Sequence, residues 1–258
     1  MKEIAGKTAF VTGGASGIGF ALGRAFAAAG AKVMLADIET EALAAAVESL
    51  HAFAPNVRGV ACDVADPASV ARAAEASYAA FGSVHVVCNN AGVAGGSGID
   101  NISLENWRWG FDVNLMGVLH GVHAFPPHLR AHGEGGHIVN TASLAGVDSG
   151  LGFSPCSASK FAVVTMSEGL ALQLKPLGIG VTVLCPGYVR TRISESGRNR
   201  PERYGRALRP DPVSPGGVLA AKLAAIREDE LHVFMHPEMH AGVKERFASI
   251  LKAMDKAR

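Results

Sequence analysis

The chain has 258 residues, of which 48% are hydrophobic, so it is long and apolar enough to fold around a sizeable core rather than stay disordered. Its formal net charge is only +1, which offers no field to attract nucleic acid or an anionic membrane. No secretory signal or membrane-length apolar run is visible, and the four cysteines form no Cys-x-x-Cys pair. These features predict a cytoplasmic protein with reduced thiols.

Short apolar strands alternate with alanine-rich helices along the chain. Strands are predicted at 8–12, 32–36, 57–62, 84–88, 137–142, 180–184 and 231–235, and helices at 18–29, 39–51, 67–81, 107–131 and 155–174. Nearly continuous apolar strands bounded by helices indicate a parallel sheet covered on both faces. One doubly wound α/β domain over residues 1–258 is therefore expected. An irregular segment at 188–215 should border its ligand cleft.

The first predicted strand runs into a glycine-rich turn, Thr12-Gly13-Gly14-Ala15-Ser16-Gly17-Ile18-Gly19. Glycines allow a tight turn and let backbone N–H groups approach a pyrophosphate, to which the helix N-terminus adds partial positive charge. Taken alone, such a turn is also compatible with an ordinary strand–helix loop. The strand–turn–helix context favours a dinucleotide site that includes Gly13, Ser16, Gly17, Ile18 and Gly19.

Asp37 ends the second predicted strand and is followed by Ile38. A carboxylate at this place can accept hydrogen bonds from the adenosine ribose hydroxyls, and it repels a 2′-phosphate. The glycine turn contains Ser16 but no Arg or Lys that would read such a phosphate. Both observations predict NAD rather than NADP. The alternative role of Asp37 is to cap the helix that follows it.

Further motifs follow the later strands in order. Asp63-Val64 follows the third strand, Asn89-Asn90-Ala91-Gly92 the fourth, and Pro186-Gly187-Tyr188-Val189-Arg190-Thr191 the sixth. Together with the glycine turn, these segments resemble the short-chain dehydrogenase/reductase family over almost the whole chain. The resemblance implies a seven-stranded Rossmann fold and hydride transfer between NAD(H) and an alcohol/carbonyl pair. It also implies coenzyme contacts for Asp63, Val64, Asn90, Ala91, Gly92, Lys160, Pro186, Gly187, Val189 and Thr191.

The segment Ser154-Pro155-Cys156-Ser157-Ala158-Ser159-Lys160 departs from the family pattern at one position. The family signature is Tyr-x-x-x-Lys with a serine thirteen residues before the tyrosine; Ser143 and Lys160 match it, and Cys156 occupies the tyrosine position. In the family, the tyrosine is the acid/base, the lysine lowers its pKa, the serine holds the substrate oxygen and an asparagine holds a water. The resemblance therefore implies a catalytic set of Asn114, Ser143, Cys156 and Lys160.

Three hypotheses for Cys156 stay open at this point. Its thiol could replace the phenol, since a helix start and Lys160 both lower a thiol pKa from ~8.5, although sulfur reaches less far than a tyrosine oxygen. In the favoured hypothesis the site binds NAD but has weak or altered activity, through a natural or an engineered change. In the third, Tyr188 or Tyr204 moves the proton, or Cys156 attacks an aldehyde. The competing class is an inactive NAD-binding pseudoenzyme that senses or scaffolds.

The predicted substrate pocket draws on 95–99, 144–153 and 188–215, and it includes Gly95, Ser143, Phe153 and Tyr188. Its apolar and aromatic character suits a small alcohol or carbonyl compound. No metal is expected, because the histidines lack an accompanying cysteine or carboxylate cluster and are better explained as solvated or interface residues; they are His120, His123, His128, His132, His232, His236 and His240. The family resemblance implies a homotetramer or homodimer formed through the helices that end near Ala131 and Leu174.

Overall fold

The computed structural model describes residues 1–96, 98, 102–148, 152–200 and 223–256. Its strands are β1 (Thr8–Thr12), β2 (Lys32–Asp37), β3 (Val57–Ala61), β4 (Val86–Asn89), β5 (Gly136–Thr141), β6 (Ile179–Cys185) and β7 (His232–Phe234). They form one parallel sheet in the order β3-β2-β1-β4-β5-β6-β7. The predicted fold class, a doubly wound Rossmann sheet of seven parallel strands, is confirmed.

Helices pack on both faces of this sheet. They are α1 (Gly17–Ala28), α2 (Thr40–His51), α3 (Pro67–Phe81), α4 (Leu104–Phe111), α5 (Gly117–Ala124), α6 (Pro126–Ala131), α7 (Pro155–Leu174), α8 (Leu223–Glu228) and α9 (His240–Asp255). Successive strand residues point to opposite faces. Val11 therefore joins a core with Phe26 of α1, whereas the preceding Phe10 packs with Phe125 and Leu129 on the other face.

The single long helix predicted at 107–131 is wrong. Two α-helices, α4 and α5, flank a π-helical turn at Asp112–Met116, and α6 is a separate helix that begins at Pro126. Pro126 has no backbone N–H and its ring crowds the preceding turn, so the hydrogen-bond ladder of α5 stops at Phe125. The π-helical turn has no comparable mark in the sequence. The helices α8 and α9 were not predicted.

Two buried histidines link the stability of this core to pH. His137 is fully buried in β5 and contacts the hydroxyl of Thr182 at 2.8 Å through Nε2, and burial lowers its pKa to about 4. Burial likewise lowers the pKa of His85, whose Nδ1 accepts a hydrogen bond from the backbone N–H of Thr8. Both rings are therefore neutral in the folded protein near neutral pH.

We predict that the free energy of unfolding falls as the pH drops from about 6.5 towards 4. In that window the unfolded chain takes up protons that the folded chain refuses, at a cost on the order of 3 kcal/mol for His137. His137→Gln retains a donor towards Thr182 and removes the titration, so its stability should fall less steeply. Urea unfolding at pH 7 and pH 5 measures the difference. The exposed His51, changed to Gln, is the control, and a His137→Gln slope parallel to that of the control would contradict the assignment.

Candidate active site

A cleft of about 500 Å³ opens at the carboxyl ends of the central strands. The strand order reverses between β1 and β4, and this switch point is where open α/β sheets bind ligands. Most of the predicted site residues line the cleft. They are Gly13, Ser16, Gly17, Ile18, Asp37, Ile38, Asp63, Val64, Asn90, Ala91, Gly92, Ser143, Cys156, Lys160, Pro186, Gly187, Tyr188, Val189 and Thr191.

The glycine turn is held in place by the end of β2. Gly13 and Gly17 have positive φ angles of 64° and 55°, which residues with a Cβ rarely adopt. The backbone N–H of Ala15 donates to Asp37 Oδ2 at 2.9 Å. Asp37 Oδ1 accepts from the backbone N–H of Glu39 at 3.0 Å, and α2 begins only at Thr40. Asp37 therefore fixes the turn beside it, and Glu39, rather than Asp37, stands at the N-cap of α2.

Thr12 joins the ends of three strands. Its hydroxyl accepts from the backbone N–H groups of Asn90 at 2.9 Å and Ala91 at 3.0 Å, and it donates to the carbonyl of Cys88. The Asn90 side chain donates to the Thr12 carbonyl and accepts from Thr141 Oγ1 at 3.1 Å. The predicted motif at 89–92 is thus fastened to β1 and β5. Thr12 is a positioning residue that sequence reasoning missed.

The buried side chains of Asn114 and Lys160 converge on Gly92. Asn114 lies in the π-helical turn, where Oδ1 accepts from the Val93 N–H at 2.8 Å and Nδ2 donates to the Val93 carbonyl at 3.0 Å. Lys160 Nζ donates to the Thr141 carbonyl at 2.6 Å. A Cβ at Gly92 would lie 3.2 Å from Asn114 Oδ1 and 3.7 Å from Lys160 Nζ.

The charge of Lys160 is governed by its surroundings. Burial lowers the pKa of the Lys160 ammonium, and the neighbouring thiols of Cys156 and Cys185 oppose that shift. Cys156 is the second residue of α7 and is partly exposed to the cleft. The predicted start of this helix at residue 155 is confirmed, because Pro155 is the first helical residue and Ser154 Oγ accepts from the Ser157 N–H at 3.0 Å as the cap.

Ser143 lies at the mouth of the same cleft, between β5 and the segment after β6. Its hydroxyl donates to the Pro186 carbonyl at 3.3 Å and accepts from the Ala145 N–H at 3.1 Å. The backbone N–H of Leu144 also donates to that carbonyl. These bonds place the Ser143 hydroxyl on the cleft wall that also carries Cys156 and Lys160.

Of the predicted site residues that the structure describes, four do not line the cleft: Gly19, Gly95, Asn114 and Phe153. A Cβ at Gly19 would overlap the Gly13 carbonyl, so this glycine lets α1 close onto the turn. Phe153 is 56% exposed and packs on Trp107, with ring centroids 4.9 Å apart, which places it on the outer surface. Residues 97, 99, 149–151 and 201–215 of the predicted pocket, including Tyr204, lie outside the described residues.

The cleft also includes side chains that were not predicted. Trp109 and Val113 contribute from α4 and the π-helical turn, and Met239 contributes from the segment before α9. His236 is no solvated surface residue, because its Nδ1 accepts from the backbone N–H of Gly187 at 2.9 Å. Glu39 was not predicted to line the cleft either, whereas Arg192, Ser196 and Arg198 belong to the segment 188–215 that was predicted to border it. The unpredicted side chains come from segments far apart in the chain, which a single sequence does not connect.

Away from the cleft, the described residues bring together three potential metal ligands, His85, His132 and Glu134. Each has another partner. Both nitrogens of His132 face backbone groups, at Val84 and Glu134. Lys7 Nζ lies 2.5 Å from Glu134 Oε2, and His85 Nε2 lies 3.1 Å from the same oxygen. The Lys7 ammonium thus takes the place beside Glu134 that a cation would use.

Known proteins resemble this chain over nearly its full length. The pattern of the short chain dehydrogenase family matches residues 7–202. The C alpha-dehydrogenase of Sphingobium sp. is 32% identical over 269 residues, covering 98% of this chain and 88% of the relative. The 1-deoxy-11-beta-hydroxypentalenate dehydrogenase of Streptomyces avermitilis is 36% identical, covering 94% of this chain and 89% of the relative.

Among solved structures, a short chain dehydrogenase/reductase from Burkholderia phymatum in complex with NAD has a TM-score of 0.92. It is 37% identical and covers 98% of this chain and 97% of its own. The switch-point cleft and the parallel sheet define a nucleotide-binding Rossmann protein. The chain belongs to the short-chain dehydrogenase/reductase family, whose members are oxidoreductases.

The packing of Gly19 generates a testable prediction. Gly19→Ala should lower the free energy of unfolding by about 2 kcal/mol or more, because the added methyl group overlaps the Gly13 carbonyl. Gly169→Ala is the matched control: Gly169 is exposed in α7, and a Cβ there meets nothing within 4 Å. The control should raise stability by about 0.5–1 kcal/mol through helix propensity alone. Thermal and urea unfolding measure both, and equal effects would refute the close approach.

Proposed function

We propose that this protein transfers a hydride between NAD(H) and a small secondary alcohol or ketone, with proton transfer weakened or altered by Cys156. The observation that carries the proposal is the convergence of Lys160 and the buried Asn114 on Gly92, at the wall of the switch-point cleft. The lysine of this buried cluster follows Cys156 by four residues on the same helix, and both residues line the cleft together with Ser143. Such an arrangement has little purpose in packing alone, since burying an ammonium costs free energy.

The described residues fit a dinucleotide. Gly13 and Gly17 present backbone at positive φ beside the start of α1, where N–H groups suit a pyrophosphate. Asp37 offers its carboxylate to the adenosine ribose, and Lys160 is proposed to hold the nicotinamide ribose. Asp63, Val64, Asn90 and Ala91 would line the adenine side, and Pro186, Gly187, Val189 and Thr191 the nicotinamide side. When bound, the coenzyme would accept or supply the hydride.

The chain's own residues must hold the substrate oxygen and move its proton. The Ser143 hydroxyl can turn from the Pro186 carbonyl towards a substrate oxygen. Asn114 fixes the backbone of Val93, and the Thr141 carbonyl accepts a hydrogen bond from Lys160. The Lys160 ammonium favours an anion at Cys156. A thiol at this position lies at a helix start, which also favours its ionised form. Electrostatics therefore suit a thiolate, while the short side chain limits its reach.

Other proton donors are less well supported. Tyr188 lines the cleft but is 44% exposed, which suits a pocket wall. Tyr204 lies outside the described residues. The inactive pseudoenzyme is not favoured, because the relatives are named as dehydrogenases and the buried lysine cluster is complete. A cytoplasmic location and a homotetrameric or homodimeric state stay predictions. The described residues include no helix with the length and apolar character needed to cross a membrane.

A tyrosine placed at position 156 tests the role of Cys156. Cys156→Tyr should oxidise a panel of secondary alcohols about 100-fold faster or more, because a positioned acid/base is worth roughly that factor. NADH formation followed at 340 nm measures the rate. Cys156→Ala is the matched control and should behave like the unchanged protein, with NADH affinity similar in all three forms.

The opposite ranking has a distinct meaning. If the unchanged protein is faster than both Cys156→Ala and Cys156→Tyr, the cysteine is the working acid/base and the weakened-site hypothesis fails. Thermal unfolding of each variant shows whether the tyrosine ring fits the folded protein. Binding of NADH to a folded but slow Cys156→Tyr variant would exclude a trivial loss of the coenzyme site.

A further inference from the structure

The segment that follows β6 crosses the glycine turn and reaches the end of β2. Thr191 lies against the turn, where a Cβ at Gly17 would come 3.0 Å from Thr191 Cγ2. Further along, the Arg198 guanidinium donates to both carboxylate oxygens of Glu39, with Nε 3.3 Å from Oε2. Arg192 Nη1 lies 3.7 Å from Glu39 Oε2. Two guanidinium groups from one segment therefore meet a single carboxylate across the cleft.

Glu39 lies directly beside the proposed ribose site. Its backbone N–H donates to Asp37 Oδ1, and the two side chains line the same cleft together with Arg192 and Arg198. The 2′-phosphate of NADP would lie near the ribose hydroxyls from which Asp37 is proposed to accept hydrogen bonds. Arginine is the side chain best suited to bind such a phosphate. The two arginines are thus near the position of the 2′-phosphate that distinguishes NADP from NAD, but both are paired with the carboxylate of Glu39.

The charges at this end of the cleft balance closely. Glu195 Oε2 lies 3.4 Å from Arg192 Nε and 3.8 Å from Arg198 Nη1, so two guanidinium groups face Glu39 and Glu195. With Asp37 added, the carboxylates in this group outnumber the arginines by one. The hydrogen bond from Arg198 holds the pKa of Glu39 below its usual range, so Glu39 is ionised at neutral pH. A dianionic phosphate would meet a net negative surface.

We propose that Glu39 is a second determinant of coenzyme choice, which excludes NADP by neutralising Arg192 and Arg198. The inference rests on the proposed function, because it assumes that a dinucleotide occupies this cleft. Asp37 repels the 2′-phosphate directly. Glu39 forms ion pairs with Arg192 and Arg198, which would otherwise bind that phosphate. The two carboxylates therefore act together, and removing either alone leaves part of the barrier in place.

Isosteric charge removal tests this proposal. NADH and NADPH dissociation constants are measured by nicotinamide fluorescence for the unchanged protein, Asp37→Asn, Glu39→Gln and the double variant. Each single change should tighten NADPH binding by about 5-fold to 10-fold, and the double variant should exceed the product of the two because both barriers protect one phosphate. NADH affinity should change much less for Glu39→Gln. The NADPH gain should shrink as salt rises, since exposed charges are screened.

The control is Glu41→Gln, which removes the same charge from an exposed position in the first turn of α2. It should leave the NADPH/NADH ratio unchanged. If Glu39→Gln alters both affinities by the same factor, Glu39 only fastens the crossing segment and the proposal is overturned. If the unchanged protein binds neither coenzyme, the proposed function fails together with this inference. Binding with an unchanged ratio overturns the inference alone.

Discussion

The hydroxyl of Thr12 is the contact on which the arrangement of the cleft depends. It accepts the backbone N–H groups of Asn90 and Ala91 just where the strand order reverses, so the ends of β1 and β4 cannot separate. The glycine turn follows β1, and Gly92, which lies next to the buried Lys160, follows β4. A parallel sheet brings strand ends to one edge, and this hydroxyl fixes their distance at that edge. The proposed coenzyme-binding turn and the proposed proton-transfer groups are consequently held as one unit.

The buried lysine is the second constraint, and an irregular helix lies beside it. An ammonium group in an apolar interior needs oxygen partners, and Lys160 finds the Thr141 carbonyl. Asn114 comes close to it from the π-helical turn at Asp112–Met116, where its buried side chain forms hydrogen bonds with both backbone groups of Val93. An unbroken α-helix would place the residues after this turn on different faces. Local irregularity of the kind often found at functional sites therefore lies beside the buried charge of the cleft.

Sequence reasoning succeeds where one residue type carries a local physical requirement. Apolar runs predict all seven strands to within about two residues, and Ser154 with Pro155 predicts the start of α7. It fails where the cause is tertiary. The π-helical turn within the helix predicted at 107–131 has no mark in the sequence, Phe153 lies on the outer surface, and His236 bonds to Gly187 from 49 residues away. The contact between Glu39 and Arg198 spans 159 residues, and no pattern in a single sequence connects them. These same distant contacts set the shape and charge of the cleft.

The position of Cys156 is itself fixed by packing, and this limits how a thiol could do the work of a phenol. Pro155, the residue before it, is buried between two glycines: a Cβ at Gly95 would lie 2.7 Å from its ring, and one at Gly110 would lie 2.9 Å. This close packing holds the start of α7 in place, so the backbone is not free to shift and make up for the length that the cysteine side chain lacks. Any proton that Cys156 exchanges with a substrate held by Ser143 must then cross the remaining gap through a water, or the substrate must bind deeper than beside a tyrosine.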